Sequence, residues 1–456
     1  MNEVQNEGGI DRRGFLASAF LISFAPACID LSAEQAPQAL PAPLTFDEQA
    51  VAWAKDLRSI LSHDPSPTNP ETWNSLWETV SAGYSNDVVN LNPGSHGSPS
   101  LIVASSLREN AERHWHDSQG FYSAAEREFI DQIIPTAARL LGLGENHSTV
   151  YLTKNTTAGT EAVLTGFPFN ADDEVIIAST EHPTASAYVK MREENSGVIR
   201  KPLDLPVGEN VTAADIVKRY TDLVTPKTRF VLLSHISYVE SHTLPVQQIC
   251  QAIKAINPDI HIHVDGAHAL GMMPIDIPSL GCDSYAASGH KWLGGPESSG
   301  VLWVSNHAKE MNFHPLIKDG NDPYTAATGA PNLVTALAFG EALKLHAALT
   351  PQRVWSRITE LRAQVIEALK DNSKLKLISS GDPQLQSGMI TYELVSTYDH
   401  QITPNDATVL AQKCAKVGLR IKNVTDFGNA YIRIGTPVSV SSKSLASGLE
   451  LLRTLL

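Results

Sequence analysis

At 456 residues the chain is longer than one ordinary hydrophobic core serves, so two domains are expected. Its 42% hydrophobic and 18% charged residues mark a globular protein, and a formal net charge of −14 argues against a nucleic-acid partner. No apolar run is long enough to make a transmembrane span.

The amino end reads as an address rather than as fold. Asp11-Arg12-Arg13-Gly14-Phe15-Leu16 precedes the modestly apolar stretch 17–27. That order resembles a twin-arginine export signal, which implies a periplasmic protein translocated after folding. Glu3, Glu7 and Asp11 offset the two arginines, a departure from the usual basic start. Ala25-Pro26-Ala27 suits cleavage by a signal peptidase, while Cys28 directly after it is an alternative site for a lipid anchor. Residues 1–27 are assigned to the signal and 28–89 to a linker and N-terminal helices. Within the latter, 32–43 is rich in Ala, Pro and Gln, and helices are expected over 45–60 and 73–80.

Asn90-Leu91-Asn92-Pro93-Gly94-Ser95-His96-Gly97-Ser98-Pro99 predicts irregular backbone. Apolar residues at helical spacing predict helices over 100–115 and 124–141. A short strand at 150–152 leads into Thr153-Lys154-Asn155-Thr156-Thr157-Ala158-Gly159-Thr160. Hydroxyl-rich residues between a strand and a helix suit phosphate, because free backbone N–H groups and the helix dipole face the anion. The contact is expected within residues 155–160. A strand at 175–178 is followed by Glu181-His182-Pro183, and one at 230–233 by Ser234-His235-Ile236-Ser237-Tyr238. Helices are expected at 216–223 and 247–256.

The stretch 260–304 carries the most chemistry. Residues 260–264 alternate β-branched and His residues, which suits a buried parallel strand, and Asp265-Gly266-Ala267-His268 closes it. Ser288-Gly289-His290-Lys291 then opens a Gly-rich turn between apolar runs at 284–288 and 301–304. A desolvated lysine with a lowered pKa forms a Schiff base, and an acid at a neighbouring strand end keeps a pyridinium nitrogen protonated. Asp265 and Lys291 are the pair that pyridoxal phosphate (PLP) requires.

In these two motifs the chain resembles the class V aminotransferases, a family of fold-type I PLP enzymes that includes cysteine desulfurases and isopenicillin-N-epimerase-like proteins. The resemblance implies an α/β fold: a large domain over 90–345 with a mostly parallel seven-stranded sheet, and a smaller C-terminal α/β domain over 346–456. It implies that Lys291 is the Schiff-base residue and proton shuttle, that Asp265 pairs with the pyridine nitrogen, and that His268 reaches the 3-oxygen. Thr153 to Thr160 resembles the family's phosphate turn, which implies Thr156 and Thr157 as phosphate ligands, or Gly159 and Thr160 in a shifted register; Ser288 and His290 join them, and His182 stacks on the pyridine face. Tyr238 stands where relatives often place Asn near the phenolic oxygen. The 90–99 loop resembles the one that covers the active site. Thr328-Gly329-Ala330-Pro331-Asn332 resembles a turn that reaches a neighbour's phosphate across a homodimer interface, with Ala330 replacing a threonine.

A helix over 331–349 leads out of the large domain. Beyond it, helices at 353–369 and 406–417 and strands at 374–379 and 388–394 are expected, and Tyr431-Ile432-Arg433-Ile434 is a strand. Arg433 matches the arginine that clamps the substrate carboxylate, in a forked geometry lysine does not reproduce. The implied activity is aminotransferase-like, on a small-molecule amino acid or peptide-derived amine. Epimerisation or C–S cleavage are alternatives, and PLP binding without turnover is another; in function the chain is similar to periplasmic PLP enzymes that tailor siderophores. No metal is expected. Beyond Cys28 only Cys250, Cys282 and Cys414 remain, and 418–432 has none to serve as a desulfurase nucleophile, so desulfuration is not expected.

Overall fold

The computed structural model describes residues 45–63, 70–85, 87–144, 149–310, 331–396 and 401–456. The expected export signal, Cys28, the expected 32–43 linker and Thr328 to Ala330 lie outside the described residues.

The helices Phe46–His63, Pro70–Ala82 and Leu101–His116 appear where apolar periodicity places them. Between the first helices and Leu101 lies a two-residue strand, Val89–Asn90 (β1). The helix expected over 124–141 is instead three pieces: Ser118–Glu128, a π-helical turn Phe129–Ile133, and Ile134–Leu140. Pro135 is the reason, because it has no N–H to donate backward and its ring forces the preceding turn to widen.

Seven strands follow: Val150–Thr153 (β2), Glu174–Ala178 (β3), Ile199–Leu203 (β4), Thr228–Ser234 (β5), His261–Asp265 (β6), Ser284–Ser288 (β7) and Gly300–Val304 (β8). They form one sheet in the order β2-β8-β7-β6-β5-β3-β4. The five strands β3 to β7 pair in parallel, whereas β8 runs antiparallel to both β7 and β2. Both faces are covered, which explains the nearly continuous apolar runs. Side chains alternate between two packed layers: Val175, Ile177, Phe230 and Leu232 face one cluster, and Ile176, Ala178, Val231 and Leu233 the other. The first layer is completed by helices Thr156–Gly166 and Pro183–Ser196, the second by Ala213–Asp222, Val246–Ile256 and Leu333–Leu349.

Two histidines of β6 are core residues. His261 Nε2 and His263 Nδ1 each lie 2.8 Å from Ser284 Oγ, and His263 Nε2 lies 2.9 Å from Thr160 Oγ1. Burial pulls both rings to about 3, so they are neutral hydrogen-bonding spacers.

A second sheet is built from Leu375–Leu377 (β9), Met389–Leu394 (β10), Lys422–Val424 (β12) and Tyr431–Gly435 (β13), with Leu419–Arg420 (β11) pairing separately with β1. Its order is β12-β13-β10-β9, all antiparallel. One face, with Ile390, Tyr392, Ile432 and Ile434, packs on Pro351–Leu369, Pro404–Lys416 and Ser442–Leu455. The last of these helices, and the strands β1, β4, β11 and β12, have no counterpart among the sequence expectations.

Candidate active site

The carboxyl ends of β5, β6 and β7 open onto a cleft of about 290 Å³. Register explains the convergence: Ser234 is level with Asp265, and Asp265 with Ala286, two residues before Ser288. Open α/β sheets bind ligands at this edge. Asp265 anchors the turn after β6, its Oδ1 accepting the Ala267 N–H at 2.9 Å. Gly266 is required there, because a Cβ would lie 2.2 Å from the Tyr285 ring.

Lys291 lines the cleft, partly buried, one short turn after β7. Desolvation pulls its amine down to about 8; Asp265 opposes the fall and Arg433 adds to it. The loop after β1 sits on the lysine turn. The Gly97 N–H donates to the His290 carbonyl at 2.8 Å, and a Cβ on Gly97 would lie 1.8 Å from the Lys291 carbonyl oxygen. Gly94, Ser95 and His96 of this loop therefore line the cleft, in agreement with the covering role the sequence suggests.

The anion-binding corner is the start of helix Thr156–Gly166. Asn155 caps it, accepting the Ala158 N–H at 2.9 Å, and the Thr156 N–H donates to Ser288 Oγ at 3.0 Å. Thr156 Oγ1 also lies 2.7 Å from Ser288 Oγ, which ties the helix start to the end of β7. Asn155, Thr156, Thr157 and Ser288 all line the cleft. The second pair of phosphate candidates faces elsewhere: the Gly159 N–H is bonded to the Asn155 carbonyl, and Thr160 turns into the core toward His263.

His182 follows β3 and lines the cleft, with Nδ1 2.7 Å from Thr184 Oγ1. Its ring meets Tyr238 edge-on, with centroids 5.1 Å apart. Burial and the nearby Lys291 charge lower its pKa. The Tyr238 hydroxyl donates to Asp426 Oδ2 at 2.7 Å, and burial with that bond pushes it up to about 12. That proton is thus committed to Asp426. His268 and His290 each bury an Nδ1 that has no hydrogen-bond partner among the described residues. Both rings are pulled down chiefly by burial, His290 to about 4 and His268 well below the usual range.

Arg433 on β13 is 2% exposed and directs Nη1 to the Tyr238 carbonyl at 2.7 Å. Gly94 approaches its other arm: an added Cβ would lie 2.8 Å from Arg433 Nη2. The structure thus brings Lys291, Asp265, His268, Ser288, His290, Thr156, Thr157, His182 and Tyr238 to one cleft, with Arg433 buried against its residues Tyr238 and Gly94, while Gly159 and Thr160 lie outside it. It adds Ser234, Lys422 and the loop residues Ser95 and His96. It also adds Glu181, 2% exposed behind Ser234, whose carboxylate accepts the Ser234 N–H at 3.2 Å and the Ser234 hydroxyl. Burial, with Asp265 second, raises Glu181 to about 7.

These residues fit PLP. Two orphaned imidazole nitrogens, first-turn N–H groups without helical partners, an acid at a strand end and a desolvated amine match its polar edges.

Comparison with known proteins agrees. The family model for aminotransferase class-V matches residues 109–420. Isopenicillin N epimerase from Streptomyces clavuligerus is 25% identical over 337 residues, 67% of this chain and 81% of that one. A probable cysteine desulfurase from Xylella fastidiosa is 26% identical over 51% of this chain and 57% of its own length. Among solved structures, the cystine C–S lyase C-DES in complex with cysteine persulfide has a TM-score of 0.69 at 20% identity, covering 80% of this chain and 97% of that chain. The fold is therefore shared.

Proposed function

Since the chain belongs to the class-V aminotransferase family of PLP-dependent enzymes, we propose that it transforms an amino acid or peptide-derived amine at Cα, with Lys291 holding the cofactor and moving the proton. Bound PLP supplies an electron sink for charge developing at Cα. Lys291 would supply the amine for the cofactor aldehyde, with Asp265 as the partner for the pyridine nitrogen and His268 for the 3-oxygen. The Thr156 and Thr157 corner with Ser288 and His290 would take the phosphate, His182 would flank the ring, and Arg433 would hold the substrate carboxylate.

The observation that carries the reaction type is the spread of acidities in the cleft. Lys291, near 8, both takes and releases a proton around neutral pH, whereas His290 near 4 and Tyr238 near 12 do not. Lys291 as a proton carrier suits transamination, in which the same amine would move the proton between Cα and the cofactor. Epimerisation is the second reading, favoured by the match to 81% of isopenicillin N epimerase. Desulfuration is disfavoured, because Cys250, Cys282 and Cys414 are all buried. Burial pushes the Cys250 thiol up to about 12 and Cys414 to about 11, away from the thiolate a sulfur carrier needs.

The test pairs labelling with product analysis. Borohydride reduction of the PLP-loaded protein should leave the pyridoxyl group on Lys291, and a label on Lys154 or Lys422 would refute the site. Keto-acid formation supports transamination; an inverted stereocentre without keto acid, or released sulfide, replaces it with the corresponding alternative. We further assign the enzyme to the periplasm, on the support of Arg12-Arg13 before 17–27, and to a homodimer. Replacing both arginines with lysine should retain it in the cytoplasmic fraction, and light scattering reads the assembly.

A further inference from the structure

β12 and β13 set two cations side by side. In their antiparallel register Lys422 lies opposite Arg433, so both side chains leave the small sheet on one face. Ile432, Ile434, Ile390 and Tyr392 fill the other face. The next pair along the Lys422 face, Val424 and Tyr431, packs on Tyr238 and Val239 of the loop after β5. Arg433 likewise bonds to the Tyr238 carbonyl, and Lys422 lines the cleft.

Like charges directly opposite one another destabilise a strand pair. Burial and the Arg433 charge both work against the Lys422 ammonium, and the acid that favours it is Asp426. That carboxylate already accepts the Tyr238 hydroxyl at 2.7 Å, and among the described residues Lys422 makes no ion pair. One nearby acid, Asp426, is shared between two facing cations, and a local rule broken with so little compensation points to a site completed by ligand. One substrate carboxylate is matched by the Arg433 fork, which leaves the Lys422 ammonium facing the cleft with no ion pair among the described residues.

We infer that Lys422 is a second anion anchor and that the substrate is a dicarboxylic amino acid, or an amine carrying a side-chain carboxylate besides the one at Arg433. This rests on the reading above, in which Arg433 holds the first carboxylate. The rival arrangement is one carboxylate shared by both cations.

PLP-loaded protein is titrated with each enantiomer of aspartate and glutamate, and with asparagine and glutamine as neutral counterparts. Binding is read by the cofactor's absorbance and independently by calorimetry. The acid of the preferred pair should bind about tenfold tighter than its amide, equivalent to about 1.4 kcal/mol. Lys422→Met should bring that ratio to about one through loss on the acid alone, and Lys422→Arg should keep it. Equal affinity for acid and amide in the wild type overturns the inference. So does a Lys422→Met variant that weakens acid and amide alike, the result a shared carboxylate predicts. Failure of the PLP reading shows separately, as absent cofactor uptake, and calorimetry then still reads the acid-to-amide ratio.

Discussion

Glu181 offers a quantitative test of the electrostatics behind the cleft. Two effects favour its charged form, the bonds from Ser234 and the His182 N–H; burial and the neighbouring Asp265 charge oppose them and prevail, raising the group from 4.5 to about 7. Between those values the unfolded chain has released the proton while the folded protein retains it. The folded state therefore binds more protons over that interval, and stability falls as pH rises through it. At about 1.4 kcal/mol per pH unit, the loss between pH 4 and pH 8 is about 3 kcal/mol. Glu181→Gln keeps the shape and a carbonyl oxygen for Ser234, yet has no proton to lose. Equilibrium urea denaturation of cofactor-free wild type and Glu181→Gln should give similar stabilities near pH 4, with the variant more stable by about 3 kcal/mol at pH 8. A difference that stays constant across this range would refute the reasoning, because it would place a carboxylate of ordinary acidity at this position.

Gly94→Ala should weaken amino-acid binding about tenfold, the cost of displacing one charge-assisted hydrogen bond, because its Cβ would crowd Arg433 Nη2 at 2.8 Å and Met389 Sδ at 3.1 Å. An unchanged KM would count against Arg433 as the clamp. Acylation of Lys291 in the cofactor-free protein, followed by mass spectrometry, should rise with a midpoint near pH 8, as the neutral amine appears there. A midpoint at the ordinary lysine value would show that the cleft does not desolvate it. Incubation with L-cysteine and a reductant should yield no catalytic alanine, and Cys414→Ser should change nothing; alanine formation lost in that variant would reinstate desulfuration.

The parts of this fold legible in sequence are those where one interaction dominates. β3, β5 and β6 are apolar runs because both their faces are covered, and Asp265 and Lys291 announce themselves through residue type at strand ends. β4 escaped notice because Ile199-Arg200-Lys201-Pro202-Leu203 is an edge strand, largely exposed, with a proline and two basic residues. β1, β11 and β12 have two or three residues each, too short for any periodicity to register. The break at Phe129–Ile133 was signalled by Pro135, which a purely apolar count passes over. Glu181 and Lys422 were invisible as site residues for a different reason. Their significance depends on which charges lie nearby in space, Asp265 for one and Arg433 for the other, and these are 84 and 11 positions away in the chain.

The pairing of β1 with β11 has a consequence in time. Leu91 donates to the Arg420 carbonyl at 2.9 Å and accepts from the Gly435 N–H at 2.7 Å, so the segment leading into the Gly94 loop is held by the far end of the chain. A ribosome working at about 5–20 residues per second delivers those partners on the order of half a minute after the loop itself. Through that interval the segment has neither partner, while the strands of the large sheet emerge one after another. The wall of the pocket that carries Gly94 is therefore set in place by residues 420–435, long after the loop and the strands of the large sheet have emerged.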